Sequence, residues 1–150
     1  MGTTTFTGPV RAGNILNTSG TTLGTDIANV GYVVMAQSSA VTQASGATTI
    51  VVPASSQILS INVMVTTVWS GAATTFGVGT TASATFLTAA AALDGVAVGP
   101  LSATPGTDAT RAGNWIDVGT TDRKIAVTST NTGTGVGVIT VTYIQAIDLT

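Results

Sequence analysis

Between residues 57 and 69 the chain reads Gln-Ile-Leu-Ser-Ile-Asn-Val-Met-Val-Thr-Thr-Val-Trp, with Leu59, Ile61, Val63 and Val65 alternating with Ser60, Asn62, Met64 and Thr66. Apolar residues at every second position predict a β-strand with one apolar and one mixed face. At about 3.3 Å per residue such a run reaches roughly 36–40 Å, twice the usual strand, so a bend or bulge is expected within it. The mixed face carries Ile58, Met64 and Val68 among Ser60, Asn62 and Thr66. That makes Met64 a candidate contact for an arm or a neighbouring subunit.

The same alternation recurs along the chain. Residues 30–37 and 47–52 read as strands, with 38–46 as a connection and Pro53 closing the second, because proline donates nothing to a ladder. Residues 74–80 are expected to return on the long strand as a hairpin across 69–73. The alanine-rich run 85–93 reads as a short helix or an irregular crossover, and the Gly- and Pro-rich stretch 94–113 as a long loop. Strands follow at 115–119, 124–130 and 136–147, the last two expected to form a hairpin across the glycine-rich turn 131–135. In the final strand Ile139, Val141 and Tyr143 share one face, and Val138, Thr140, Thr142 and Ile144 the other. Apolar residues on both faces imply burial on both sides, which adds Ile144 to the candidate interface. Seven or eight short strands with turns between them predict an all-β fold, an antiparallel β-sandwich of jelly-roll or immunoglobulin-like type.

Residues 1–29 show no sustained period, only spaced apolar residues in a Thr-, Gly- and Asn-rich background. Such a segment makes no core of its own. It is either a flexible leader or an extended N-terminal arm that docks Phe6, Val10, Ile15 and Leu16 into a neighbour. The arm is the favoured reading, with residues 30–150 as the sandwich domain.

Composition narrows the function. In 150 residues only 7% are charged, there is no Glu, and mean hydropathy is +0.51. A surface so poor in charge is suited to meeting other protein. A net charge of −2 with four scattered basic residues, Arg11, Arg111, Arg123 and Lys124, offers no footprint for nucleic acid or anionic lipid. No apolar run is long enough for a membrane span, and no secretory signal opens the chain, so synthesis in the cytoplasm is expected. The absence of Cys and His removes thiolate nucleophiles, zinc–thiolate sites and the commonest general base.

What remains for chemistry is sparse. Six aspartates (Asp26, Asp94, Asp108, Asp117, Asp122, Asp148) are scattered, without the facing pair that glycosidase chemistry needs or the close odd spacing of a calcium loop. The lone Lys124 has no Ser-x-x-Lys before it, and no glycine run is followed by Gly-Lys-Ser/Thr. The expectation is a non-enzyme with no catalytic residue, metal or cofactor. Trp69 and Trp115 are candidates for exposed recognition, since tryptophan is enriched in interface hot spots and binds sugars. Trp115 reads more naturally as core and Trp69, at a strand end, as a candidate contact.

The phrases Thr-Thr-Thr-Phe-Thr-Gly-Pro-Val (3–10), Pro-Ala-Ser-Ser-Gln-Ile-Leu-Ser-Ile-Asn-Val (53–63), Trp-Ile-Asp-Val-Gly-Thr-Thr-Asp (115–122) and Val-Thr-Tyr-Ile-Gln (141–145) resemble small head-associated structural proteins of tailed bacteriophages, the decoration or cement proteins. The resemblance implies a β-sandwich on the outer capsid surface of the virion. It also implies association with the major capsid protein and a homo-oligomer, a trimer being favoured, that stiffens the shell through its arm. The alternative is a fibre-type host-recognition module binding surface glycans through Trp69 or Trp115.

Overall fold

In the computed structural model the described residues are 16–18, 27–28 and 32–146, and they fall into two units. The first, residues 1–32 with 146–150, contains strands β1 (Leu16–Thr18) and β2 (Ile27–Ala28), paired antiparallel with Leu16 opposite Ala28. The arm residues Phe6, Val10 and Ile15 lie outside the described residues, as does the terminal stretch 147–150.

The second unit, residues 33–145, is the sandwich. Its strands are β3 (Tyr32–Thr42), β4 (Gly46–Val52), β5 (Ser56–Thr67), β6 (Thr75–Thr80), β7 (Leu93–Asp94), β8 (Gly99–Ser102), β9 (Arg123–Ser129) and β10 (Val136–Ala146), with helix α1 (Ala109–Ile116) between β8 and β9. One sheet has the order β3-β10-β5-β8, the other β4-β9-β6-β7. Every connection except that from β6 to β7 crosses between the sheets. The antiparallel sandwich expected from the alternation is therefore present, but both expected hairpins are not: β5 and β6 lie in different sheets, and so do β9 and β10. The expected connection at 38–46 is shorter, because β3 continues to Thr42.

The core lies between the inner faces, Ile58, Ile61, Val63, Val65, Ile139, Val141 and Tyr143 from one sheet meeting Ile50, Val52, Phe76, Val78, Ile125 and Val127 from the other. Fully burying each such side chain contributes about 1.5–3 kcal/mol before chain entropy is set against it. Small residues admit a second layer over β6. A Cβ on Gly77 would stand 2.6 Å from the carbonyl oxygen of Ala89, so segment 83–90 packs directly on the strand. Thr88 fixes it there: its amide donates to Val78 O (3.0 Å) and its hydroxyl accepts from Val78 N (2.8 Å). These contacts decide against a helix at 85–93, since tertiary bonding overrides the weak helical preference of a short alanine run. The irregular segment is no crossover, however: it joins β6 to β7, neighbours in one sheet.

The helix stands instead at Ala109–Ile116, inside the expected loop and over the start of the expected strand 115–119. Asp108 caps it, accepting from the Arg111 amide at 2.8 Å. That amide is the largest influence and outweighs desolvation, and with lesser help from the Arg111 guanidinium and the Thr110 amide it holds the Asp108 carboxyl below the ordinary carboxylate range.

Crossing connections bring three loops to one end of the sandwich, and a fully buried Gln43 joins them. Its side-chain nitrogen donates to Ser70 O (2.6 Å) and to Asn131 Oδ1 (3.0 Å), while its oxygen accepts from Ser70 N (2.8 Å) and Gly135 N (3.2 Å). The amide's full capacity is thus used on the β5–β6 and β9–β10 connections. Trp69 plugs the same end, stacked on Phe76 with ring centroids 4.0 Å apart. Replacing Gln43 with Ala removes the acceptor of the buried Gly135 amide and of the part-buried Ser70 amide, so unfolding free energy should fall by about 1–3 kcal/mol. A urea titration checks it: the midpoint drops with an unchanged slope. A loss under about 0.5 kcal/mol, the range of ordinary surface substitutions, would assign the closure to Trp69 packing alone.

Candidate interaction face

The surface most suited to binding is the outer face of β3-β10-β5-β8, and the ladder between β5 and β10 sets its composition. Ile61, Val63 and Val65 lie opposite Val141, Ile139 and Gly137, pointing inward, so Asn62 and Met64 point outward opposite Thr140 and Val138. The register shifts twice, once beside Leu59 and once beside Thr66, which supplies the expected irregularity. The first shift changes the assignment of faces. Beyond it Ile58, not Leu59, joins the core at 4% exposure opposite Tyr143, whereas Leu59 is 43% exposed. A strict alternation through Leu59 had placed that residue inside; one extra residue in a period of two reverses every side chain beyond it.

The outer face consequently runs in rows. Pro100, Met64 and Val138 form an apolar row across three strands, with Met64 46% exposed. The next row, Ser102, Asn62 and Thr140, is polar and bonded laterally. Ser102 Oγ donates to Asn62 Oδ1 (2.9 Å), Asn62 Nδ2 donates to Ser60 Oγ (3.3 Å), and the hydroxyls of Ser38 and Thr140 share a bond of 2.8 Å. Val136 is exposed on the same strand as Val138, and Val96 and Val98 are exposed on the connection that enters β8. No acidic or basic residue occurs on any of these four strands. The opposite sheet differs: segment 83–90 covers β6, and β9 begins with Arg123 and Lys124.

The edge facing β4 is closed by side chains. Gln37 on β3 uses its amide as a surrogate peptide, donating to Val51 O (2.7 Å) and accepting from Val51 N (3.2 Å), and Ser39 Oγ accepts from Thr49 N (3.3 Å). Such capping blocks strand addition at β4. Nothing in the hydrophobic pattern singled out Gln37; its polar position amid an apolar strand was the available signal.

Of the residues singled out in the sequence, Met64 lies on the outer face and Ile144, opposite Gln57 on β10, is half-buried. Trp69 is 3% exposed, so its ring offers no surface platform; a Cβ on Gly95 would already stand 2.6 Å from its Cγ. Trp115 is partly buried on α1, its indole N–H donating to Leu87 O at 2.9 Å. Leu16 falls in β1. Asp108 serves as a helix cap, and Asp122 accepts from Ala54 N at 3.0 Å. Among the described residues no group of three acidic, His or Cys side chains could hold a metal ion, and no helix is long and apolar enough to cross a membrane.

Fold and face together define a class: an antiparallel β-sandwich with one apolar, uncharged outer sheet. No family model matches the chain, and no curated protein matches it. A solved structure described as "Cyanophage Pam1 capsid asymmetric unit" contains a chain similar to this one, at 20% identity and a TM-score of 0.46, over 90% of this chain and 99% of that one.

The two sides of β5 should respond differently to substitution. Ile61→Ala opens a cavity in the core and should cost about 2–5 kcal/mol in a urea titration. Met64→Asp should leave monomer unfolding within about 0.5 kcal/mol of the parent, as surface changes do. A loss as large as that of Ile61→Ala would return Met64 to the core.

Proposed function

We propose that this chain is a non-enzymatic virion structural protein that binds the outer surface of a phage capsid as a decoration protein, with the major capsid protein as partner. The observation that carries the reading is where the phage-like phrases meet in space. Residues 53–63 and 115–122 touch through three bonds: Ser55 N to Gly119 O (2.8 Å), Val118 N to Ser56 O (3.0 Å) and Ala54 N to Asp122 Oδ1 (3.0 Å). Residues 141–145 pair with β5 over Ser56 to Ile61. Three phrases far apart in the chain thus form one continuous piece of the sandwich, which is what a shared structural module requires and what unrelated short matches do not.

The strand order supports the same reading. Alternate placement of successive strands in two sheets is the pattern of a jelly roll, a fold used by viral capsid and lectin domains; an immunoglobulin sandwich instead keeps strands such as A and B, or F and G, in one sheet. The glycan-binding alternative is the less favoured, since Trp69 is buried and Trp115 is partly buried with its indole N–H held by Leu87 O. Mechanically, each copy would bury apolar area against the coat protein and against its own symmetry mates, a trimer being the favoured state. This raises the free energy needed to part capsomers, because a ligand that binds only the assembled state stabilises it. The segment 1–29 acts as the arm, with Phe6, Val10, Ile15 and Leu16 as anchors.

Deleting residues 1–16 tests the arm. Occupancy on undecorated heads should fall, and the truncated protein should protect heads less against heat-induced release of DNA. Unchanged occupancy and unchanged heat release would remove the arm from the mechanism.

A further inference from the structure

We infer that the outer face of β3-β10-β5-β8 is where copies of this chain meet one another. The inference rests on the self-association of the proposed function but not on its trimeric state, because a face that meets its own copy makes a two-fold pair, and it does not depend on attachment to a capsid.

Charge selects the occupant. The four strands hold no acidic or basic residue, while Asp94, Asp108, Arg111, Asp117, Asp122, Arg123 and Lys124 lie on the other sheet, on or beside α1, or in turns. A foreign surface bearing charge would lose hydration here and find no counter-charge. A second copy of the same face brings no charge to desolvate.

Several of the polar groups on the face already bond to one another. Ser102, Asn62 and Ser60 bond in series, Ser38 bonds Thr140, and Thr66 Oγ1 donates to Val136 O at 3.2 Å. Water can therefore leave this face without orphaning these groups, which is the usual obstacle to burying a polar row. Between such rows stand Met64, Val138 and Pro100, whose apolar surface gains from being covered.

Area is sufficient. At about 3.3 Å per residue and 4.8 Å between strands, the four strands present roughly 600 Å² of projected face, or about 1,200 Å² for two copies. That clears the roughly 1,000 Å² expected of a specific interface. The opposite sheet has less to offer, being partly covered by segment 83–90 and bearing Arg123 and Lys124.

The chain has no cysteine, so an engineered one reports its own position alone. Met64→Cys and Val138→Cys would be compared with Thr81→Cys, which is exposed after β6 of the other sheet. Each full-length variant would be oxidised at micromolar concentration, with sedimentation of the parent in parallel and circular dichroism to confirm folding. The expected result is an oligomeric parent, a disulfide-linked dimer band for both face variants and a monomer band for Thr81→Cys. A monomeric parent, equal cross-linking at Thr81, or an oligomer whose face cysteines stay unlinked would overturn the inference. Binding of the same parent to undecorated heads is scored separately: cross-linking without head binding would sink the capsid reading and leave this interface standing.

Discussion

The ladder between β5 and β10 is the constraint on which the rest of this molecule depends. Side chains on a strand alternate between faces, so two central strands locked in register decide what the core receives and what the surroundings meet. Here Ile61, Val63 and Val65 go inward with Val141 and Ile139, and Met64 and Val138 are forced outward as a pair. The bulge beside Leu59 resets the count, bringing Ile58 into the core opposite Tyr143. A strand of twelve residues thereby follows the curvature of the sandwich and still fills the core along its whole length.

Crossing connections impose a second demand. A chain that changes sheets at nearly every turn must satisfy the backbone groups of several loops at the sandwich ends, where no ladder is available. Gln43 meets that demand at one end by spending all its hydrogen-bonding capacity on two other connections, and Trp69 seals the space above Phe76. At the open side, Gln37 and Ser39 cap the backbone of β4. Polar residues thus close the sandwich where apolar packing cannot, and among the described residues the outer face of the β3-β10-β5-β8 sheet exposes Met64 and Val138.

Much of the fold was legible because burial on one side writes a period of two into strands, and β4, β5 and β10 carry it clearly. The pairing of strands was not legible. Glycine-rich segments such as 131–135 suit a tight hairpin and a crossing between sheets equally, and only the bonds to Gln43 distinguish them. Helix α1 was missed because Gly113 and the neighbouring glycines and prolines suggested a loop, although Asp108 ahead of Ala-Thr-Arg-Ala is a recognisable cap. Met64 was found by its place on the mixed face; Val138 and Pro100 emerged only with the register that sets them beside it. Trp69 read as a surface candidate because its position at a strand end gives no sign that Gly95 and Gly135 leave room for its ring.

The role proposed for this protein is mechanical, that of a module bound to the outside of a phage head. Reconstruction of the intact virion by electron cryomicroscopy tests that claim most directly. The account predicts copies of the sandwich at symmetry-related positions over the outer shell, with the Met64 and Val138 side of each turned toward another copy. Sandwich density confined to a tail or fibre, or seated on the shell with that face open to solvent, would contradict it.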